Sequence, residues 1–337
     1  MAMMLGIGGV GLSGMGGVVP LALLAIDGQL PAAVLDFASG FHTIPWVLTR
    51  ASAASYVDAA DNVRTVAANV ARYTQTAAAR ALLLEDGATR LIGGAAPVSG
   101  QSVTVTAQTY TLSFHGTGTV TLSGAYSASV VGTGATLRRI VSFTPATGTL
   151  TATPAGDVRM MQLETGGMAT SYIPGDDGAA SRAADLVAPI PVSGLGIGAG
   201  YTLAVRGQID VAAGYDRLVQ LDADADASRQ NVRWHPGHGI VQAQIYDGGA
   251  LQAEFSESGG PGTGAPFALA MSVGPNHFQA ARNGVSGALD STVSFQSPTR
   301  LRLAEGYSGN KPKRLLLSSV LLYPSLMTAA QLERLTT

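Results

Sequence analysis

Ser102-Val-Thr-Val-Thr-Ala107 alternates polar and apolar residues in strict succession. Tyr110-Thr-Leu-Ser-Phe114, Thr119-Val-Thr-Leu-Ser123 and Arg139-Ile-Val-Ser-Phe143 repeat the pattern, and Thr149-Leu-Thr-Ala-Thr153 and Val158-Arg-Met-Met-Gln-Leu163 extend it. Successive side chains on a strand point to opposite faces, so this alternation marks strands with one buried face. Gly, Pro and Ser turns separate the segments. Short alternating strands at this spacing predict an antiparallel β-sandwich.

Downstream, a second series begins. Tyr201-Thr-Leu-Ala-Val-Arg206, Leu218-Val-Gln-Leu221, Asn231-Val-Arg-Trp234, Ile240 to Tyr246, Phe267 to Val273, His277 to Arg282, Leu301-Arg-Leu303 and Leu315 to Leu322 all read as strands. Asn283-Gly284 follows one of these runs and is a strong hairpin signal. Thr328-Ala-Ala-Gln-Leu-Glu-Arg-Leu335 closes the chain as a short helix with Thr328 as N-cap. Upstream, Leu35 to Ile92 reads as short extended pieces, with one Ala/Val-rich stretch, Asn62 to Arg72, open to a helical reading. Asp176 to Pro191, rich in Ala, Asp and Pro, reads as a linker. The expected fold is all-β: two antiparallel sandwiches, jelly-roll and lectin-like, after an N-terminal anchoring region. The expected divisions are 1–34, 35–95, 96–184 and 185–337, and a fragment starting near Asp185 is expected to fold alone.

Composition agrees. The 337 residues are 46% hydrophobic and only 12% charged, with 43 glycines, which favours strands and turns over solvated helices. A net charge of -2 offers no basic field for nucleic acid or anionic lipid. Only two lysines occur against eighteen arginines, and Lys311, Lys313 and Arg314 read as a solvated turn. With no cysteine, disulfides, thiolate metal sites and thiol chemistry are excluded.

Leu5 to Ile26 carries no charged side chain, and Arg50 is the first positive residue. Seven glycines between positions 6 and 17, Pro20 and the missing basic flank argue against a membrane helix or a secretory signal. An apolar arm of this kind calls for a partner surface. The expected partners are identical chains, as a trimer or alternatively a pentamer, and other proteins of a particle.

Four stretches carry a resemblance. Leu35-Asp-Phe, Leu48-Thr-Arg-Ala-Ser-Ala-Ala-Ser-Tyr-Val57, Asn69-Val-Ala-Arg-Tyr73 and Leu82-Leu-Leu-Glu-Asp-Gly-Ala-Thr89 resemble the head-spike-fibre domain of phage and gene-transfer-agent particles. Thr89-Arg90-Leu91 stands where that family has Thr-Asn-Leu, and no proline lies between Val70 and Arg72. The region Tyr110 to Pro174 is similar to jelly-roll carbohydrate-binding modules, most specifically through Gln162-Leu-Glu-Thr-Gly-Gly-Met-Ala-Thr-Ser-Tyr-Ile-Pro174. Gly200 to Leu335 is similar to concanavalin-A-like and laminin-G-like sandwiches, with Leu322-Tyr-Pro-Ser-Leu-Met-Thr-Ala-Ala-Gln-Leu332 as their closing strand and helix. The resemblance implies a spike or fibre on the surface of a virion or phage-like particle, assembled in the bacterial cytoplasm and binding host polysaccharide. An architectural connector or decoration protein is the alternative, and a polysaccharide-degrading spike a third.

No catalytic residues are expected. A glycosidase needs two carboxylates about 5 to 10 Å apart across one bond. Glu254 and Glu257 would point to opposite faces of a strand, and neither a Gly-x-Ser-x-Gly nor a His-Glu-x-x-His motif occurs. Asp222, Asp224 and Asp226 alternate like calcium ligands, but Ala227 replaces the loop glycine and Arg233 the closing glutamate. His235-Pro-Gly-His238 reads as a turn rather than a metal pair. Sugar recognition needs aromatic rings and polar groups beside them, so Trp234, His235, Tyr215, Tyr246 and Tyr307 are the candidate glycan-binding residues.

Overall fold

The structure, a computed structural model, describes residues 24–76, 79–97, 99–211, 214–256, 260, 262–309 and 311–337. Two antiparallel β-sandwiches make up nearly all of it. In the first, a five-stranded sheet (Gly134–Phe143, Tyr110–Gly116, Arg159–Thr165, Ala88–Gly94, Ala180–Arg182) faces a four-stranded one (Ala128–Val131, Thr119–Gly124, Gly148–Ala155, Gln101–Val105). The alternation that predicted these strands sorts their faces: Val120, Leu122, Leu150 and Ala152 meet Leu112, Phe114 and Leu163 in one core.

The second sandwich pairs a nine-stranded sheet with a six-stranded one around a larger core. Its organising strand is Arg314–Tyr323, where seven of ten residues are Leu, Val or Tyr. One edge of this strand pairs with Tyr201–Val211. The other edge is shared by two strands from far upstream: Arg80–Glu85 pairs with its first half and Ala33–Asp36 with its second. Asn283 and Gly284 both take positive φ, 47° and 81°, in the hairpin that joins His277–Arg282 to Val285–Ser286. The closing helix, Ala329–Thr336, starts at Thr328 with a full capping box to Gln331.

Four expectations change. Residues 35–95 are shared out: Ala33–Asp36 and Arg80–Glu85 complete the nine-stranded sheet, while Ala88–Gly94 lies inside the five-stranded sheet of the other sandwich. Leu82 and Leu84 belong to the same core as Leu315 and Leu317, so the sandwich at 185–337 is built with strands from before residue 86. Asn62 to Arg72 is not helical; it contributes the strand Val63–Val66 and the start of Arg72–Gln75, as its β-branched valines favour. Asp176 to Pro191 is stitched into three sheets, through Ala180–Arg182, Leu186–Val187 and Ile190–Pro191. Of the apolar run Leu5 to Ile26, and of the arm 1–34, everything before residue 24 lies outside the described residues. From Leu24 onward the arm is held by the closing elements: the Leu24 carbonyl accepts from the Tyr323 hydroxyl at 2.8 Å. No helix among the described residues is long and apolar enough to cross a membrane.

Between the sandwiches lies a buried ionic joint. Arg50, Arg72, Arg182, Glu85 and Asp185 meet there with side chains wholly shielded from solvent. Arg50 reaches Asp185 at 2.8 Å, and Arg72 bonds Glu85 at 2.6 Å and also Asp185. Glu85 accepts in addition from the Ser171 amide at 3.0 Å and from the Ser171 hydroxyl. Burial pushes the Glu85 carboxyl up, but Arg182, Arg72 and Arg314 outweigh it and hold the group well below the usual carboxylate range. The motif residues converge here. Asn69 accepts from the Arg50 amide, the Tyr172 carbonyl accepts from Ser55, and Ile173 donates to Gln162. The Leu48–Thr89 and Gln162–Pro174 signatures therefore encode the joint that fixes one sandwich against the other.

Candidate functional site

The outward face of the six-stranded sheet is the strongest candidate. Alternation in Arg217–Asp222, Arg229–His235, Ile240–Asp247 and Ala250–Phe255 sends Leu221, Val232, Ala243 and Ala253 to the core and polar residues outward. Register then lines those polar residues up. Arg302, Gln220, Asn231, Gln244 and Glu254 stand in one row across five strands. Arg300, Asp222, Arg229 and Tyr246 form the next row, and Arg217, Arg233 and Gln242 a third.

The middle of this face is an amide floor. Gln220, Asn231 and Gln242 are 0% exposed and Gln244 is 1% exposed. Carboxylates at its two ends set the amide orientations. The Gln220 amide nitrogen donates to Asp222 at 2.7 Å, and those of Gln242 and Gln244 donate to Glu254 at 3.1 and 2.8 Å. Burial raises the Glu254 carboxyl, but the bonds from Gln244, Ser256 and Gln242 dominate and keep it below its ordinary value. An ionised carboxylate only accepts, so each glutamine must turn its NH2 toward it and its carbonyl away. Among the described residues, the carbonyl oxygens of Gln220, Gln242 and Gln244, with both polar atoms of Asn231, have no hydrogen-bond partner. Buried polar atoms are almost always paired, so four neighbouring amides with unpaired atoms on one face call for a partner.

Arginine–tyrosine pairs cover the floor. Arg229 lies 3.8 Å over the Tyr246 ring, Arg233 4.8 Å over Tyr215 and Arg302 5.0 Å over Tyr307. Arg302 is tied to Asp222 at 2.7 Å and Asp224 at 2.8 Å, and Arg217 to Asp226 at 2.5 Å. Arg229 also faces Asp226, at 3.8 Å. Arg217 lies so close under the loop at 306 that a Cβ there would come within 2.4 Å of its Cδ, so a larger residue would push the arginine aside. Arg233, by contrast, makes no ion pair among the described residues, and its Nε has no hydrogen-bond partner.

The sequence candidates divide between the two sides of this sheet. Tyr215, Tyr246 and Tyr307 come together on the polar face, each beside an arginine. His235 joins them, edge-on to Tyr215 at 5.0 Å and stacked on His238 at 4.1 Å. Trp234 does not join them: as the neighbour of Arg233 it points the other way, 6% exposed among the core side chains. Asp222, Asp224 and Asp226 are spread along the floor's edge as arginine partners. Among the described residues no three His, Cys, Asp or Glu side chains converge as metal ligands. Glu257 lies outside the described residues. Sequence reading missed the floor because Gln220, Gln242 and Gln244 look like ordinary solvent-side strand positions. The signal available was the shared outward parity of Gln220, Asn231, Gln242 and Gln244 on three neighbouring strands.

No protein-family model matches the sequence, and no curated protein matches it. Solved structures do. The carbohydrate-binding module of a Ruminococcus gnavus IT-sialidase, bound to alpha2,3 sialyllactose, matches at 10% identity and a TM-score of 0.37, over 44% of this chain and 92% of that one. Trypanosoma rangeli sialidase matches at 12% identity and a TM-score of 0.35, over 43% of this chain and 25% of that one.

Proposed function

We propose that this protein binds glycans on the outward face of its six-stranded sheet, and that it does so without catalysis. The observation that carries this reading is the buried floor of Gln220, Asn231, Gln242 and Gln244 with unpaired amide atoms, ringed by Tyr215, Tyr246 and Tyr307. Amides that read hydroxyls, beside rings that lie against sugar faces, are the two ingredients of carbohydrate recognition. The setting we propose is the surface of a phage-like particle, where the protein acts as a spike or fibre that adsorbs to host polysaccharide. The resemblance in Leu35 to Thr89 supports that setting. Assembly through the N-terminal arm into a trimer belongs to the same reading, with light scattering of the full chain as its check. Retention of the protein on immobilised host surface polysaccharide tests the binding. Equal adsorption of particles to cells with and without that polysaccharide favours the second reading, an architectural connector, which the buried joint between the sandwiches supports in its own right.

A further inference from the structure

The floor has a donor–acceptor polarity that selects its ligand. Each of three glutamine nitrogens gives an N–H to Asp222 or Glu254, and the unpaired atoms of those residues are their carbonyl oxygens. Asn231, between them, adds one more unpaired carbonyl and an unpaired NH2. Neighbouring strands lie about 4.8 Å apart, so these groups form a compact, acceptor-rich patch. A carboxylate or sulfate brings only acceptors and would face carbonyl oxygens with Asp222 and Glu254 at the flanks. A cation would meet Arg217, Arg229, Arg233 and Arg302 around the rim. A hydroxyl group both donates and accepts, carries no charge and matches the patch.

Access is the second part of the problem, because the floor atoms are covered. Arg302, Arg217 and Arg229 are tied to Asp222, Asp224 and Asp226. Arg233 stands in the row beside Asn231 and opposite Gln242, with no such tie, and rests on the half-exposed Tyr215. Of the three arginines over tyrosine rings on this face it is the one with no ion pair among the described residues.

We infer that this face takes an uncharged, hydroxyl-rich sugar whose hydroxyls donate to the carbonyls of Gln220, Asn231, Gln242 and Gln244, and that Arg233 with Tyr215 covers the floor until the sugar seats. This deepens the glycan-binding reading and rests on it. While the cover is closed, apparent affinity is lowered by the fraction of time it is open.

The test uses the full chain and two matched probes, dextran and dextran sulfate, with neutral mannan and galactan as further uncharged polymers, in affinity electrophoresis. A neutral polymer should retain the protein at least tenfold more strongly than the sulfated one. Asn231→Leu should lose at least tenfold in retention while its melting temperature stays level or rises, because only unpaired polar atoms have been removed. Arg233→Met should strengthen retention about two- to threefold by removing the cover. Preference for dextran sulfate, wild-type retention by Asn231→Leu, or a lowered melting temperature in that variant overturns the inference and leaves glycan binding standing. Should Asn231→Leu fail to fold, Gln242→Met removes one carbonyl together with the bond to Glu254, and is read by its retention alone. Weaker retention by Arg233→Met overturns the cover and makes Arg233 part of the grip. Failure of every polymer, host polysaccharide included, to retain the wild type overturns the glycan reading itself.

Discussion

At the joint between the sandwiches, both carboxylate oxygens of Glu85 and of Asp185 receive a donor; on the outward face of the six-stranded sheet, four buried amides leave carbonyl oxygens with none. Both regions bury polar side chains from several strands. Their difference separates a group that holds the fold from a group that awaits a ligand. An isolated buried charge is very unfavourable, so the joint's carboxylates are saturated by its arginines, and of its side-chain atoms only Arg72 Nε and Arg182 Nε stay without a hydrogen-bond partner among the described residues. An unpaired amide is less unfavourable, about 1–3 kcal/mol, which a folded domain tolerates where binding can later satisfy the group.

The largest expected effect probes the joint and the sheet it supports. A fragment beginning near Asp185 lacks Arg80–Glu85 and Ala33–Asp36, so one whole edge of Arg314–Tyr323 is stripped bare. Leu315, Leu317, Val320 and Leu322 lose core partners at the same time. The fragment should be insoluble or unfolded by circular dichroism, whereas one beginning at Leu24 should melt cooperatively. A soluble, cooperatively melting short fragment would show that the upstream strands are accessories.

Next in size is Glu85→Gln, which leaves Arg72 and Arg182 buried beside a neutral amide. Breaking such a pair from one side costs about 3–5 kcal/mol. The pH dependence follows from the depressed folded value of Glu85. Its contribution is fully present above the ordinary glutamate value of 4.5 and is lost as pH falls below that toward the folded value. Urea midpoints taken from pH 7 downward should therefore drop below about pH 4.5 in the wild type, and less steeply in Glu85→Gln. Parallel pH profiles for the two proteins would remove Glu85 from the account.

Trp234→Ala and Tyr307→Ala compare the two sides of one sheet. Trp234 is packed in the core, so its loss should destabilise by about 3–5 kcal/mol in thermal or urea unfolding. Tyr307 is half-exposed beside Arg302, and its loss should change stability by less than about 0.5 kcal/mol while weakening sugar retention. Similar destabilisation by both changes would mean that the polar face is part of the structural core.

Much of this architecture was legible in the sequence. The run from Ser102 to Leu163 gave its strands because alternation reports one-sided burial directly, and Thr328 and Asn283-Gly284 marked their helix cap and hairpin through local chemistry. What the sequence hid is non-local. Nothing near Leu82 announces that it will pair with Leu317 more than two hundred residues away. Arg50, Arg72 and Glu85 were noticed as a signature, but only the tertiary structure shows them converging on Asp185 and Ser171. The candidate site was half visible: three tyrosines and His235 gather on one face, while Trp234 was placed on the wrong side because an apolar ring serves core and sugar equally well.

The smallest expected effect is that of salt, and it separates the floor from its arginine rim. Raising ionic strength from about 0.1 M to about 1 M shortens the Debye length from about 10 Å to about 3 Å. Hydrogen bonds between sugar hydroxyls and amide carbonyls act at contact and between neutral groups, so retention on a neutral polymer should change less than about twofold across that range. Most of the rim is already neutralised, since Arg302, Arg217 and Arg229 face Asp222, Asp224 and Asp226. Arg233, which makes no ion pair among the described residues, is free to grip an anion at long range. A fall of tenfold or more in retention across the same salt series would move recognition from the floor to Arg233. The contrast between a paired joint and an unpaired floor would then describe packing alone, and the rim would carry the binding.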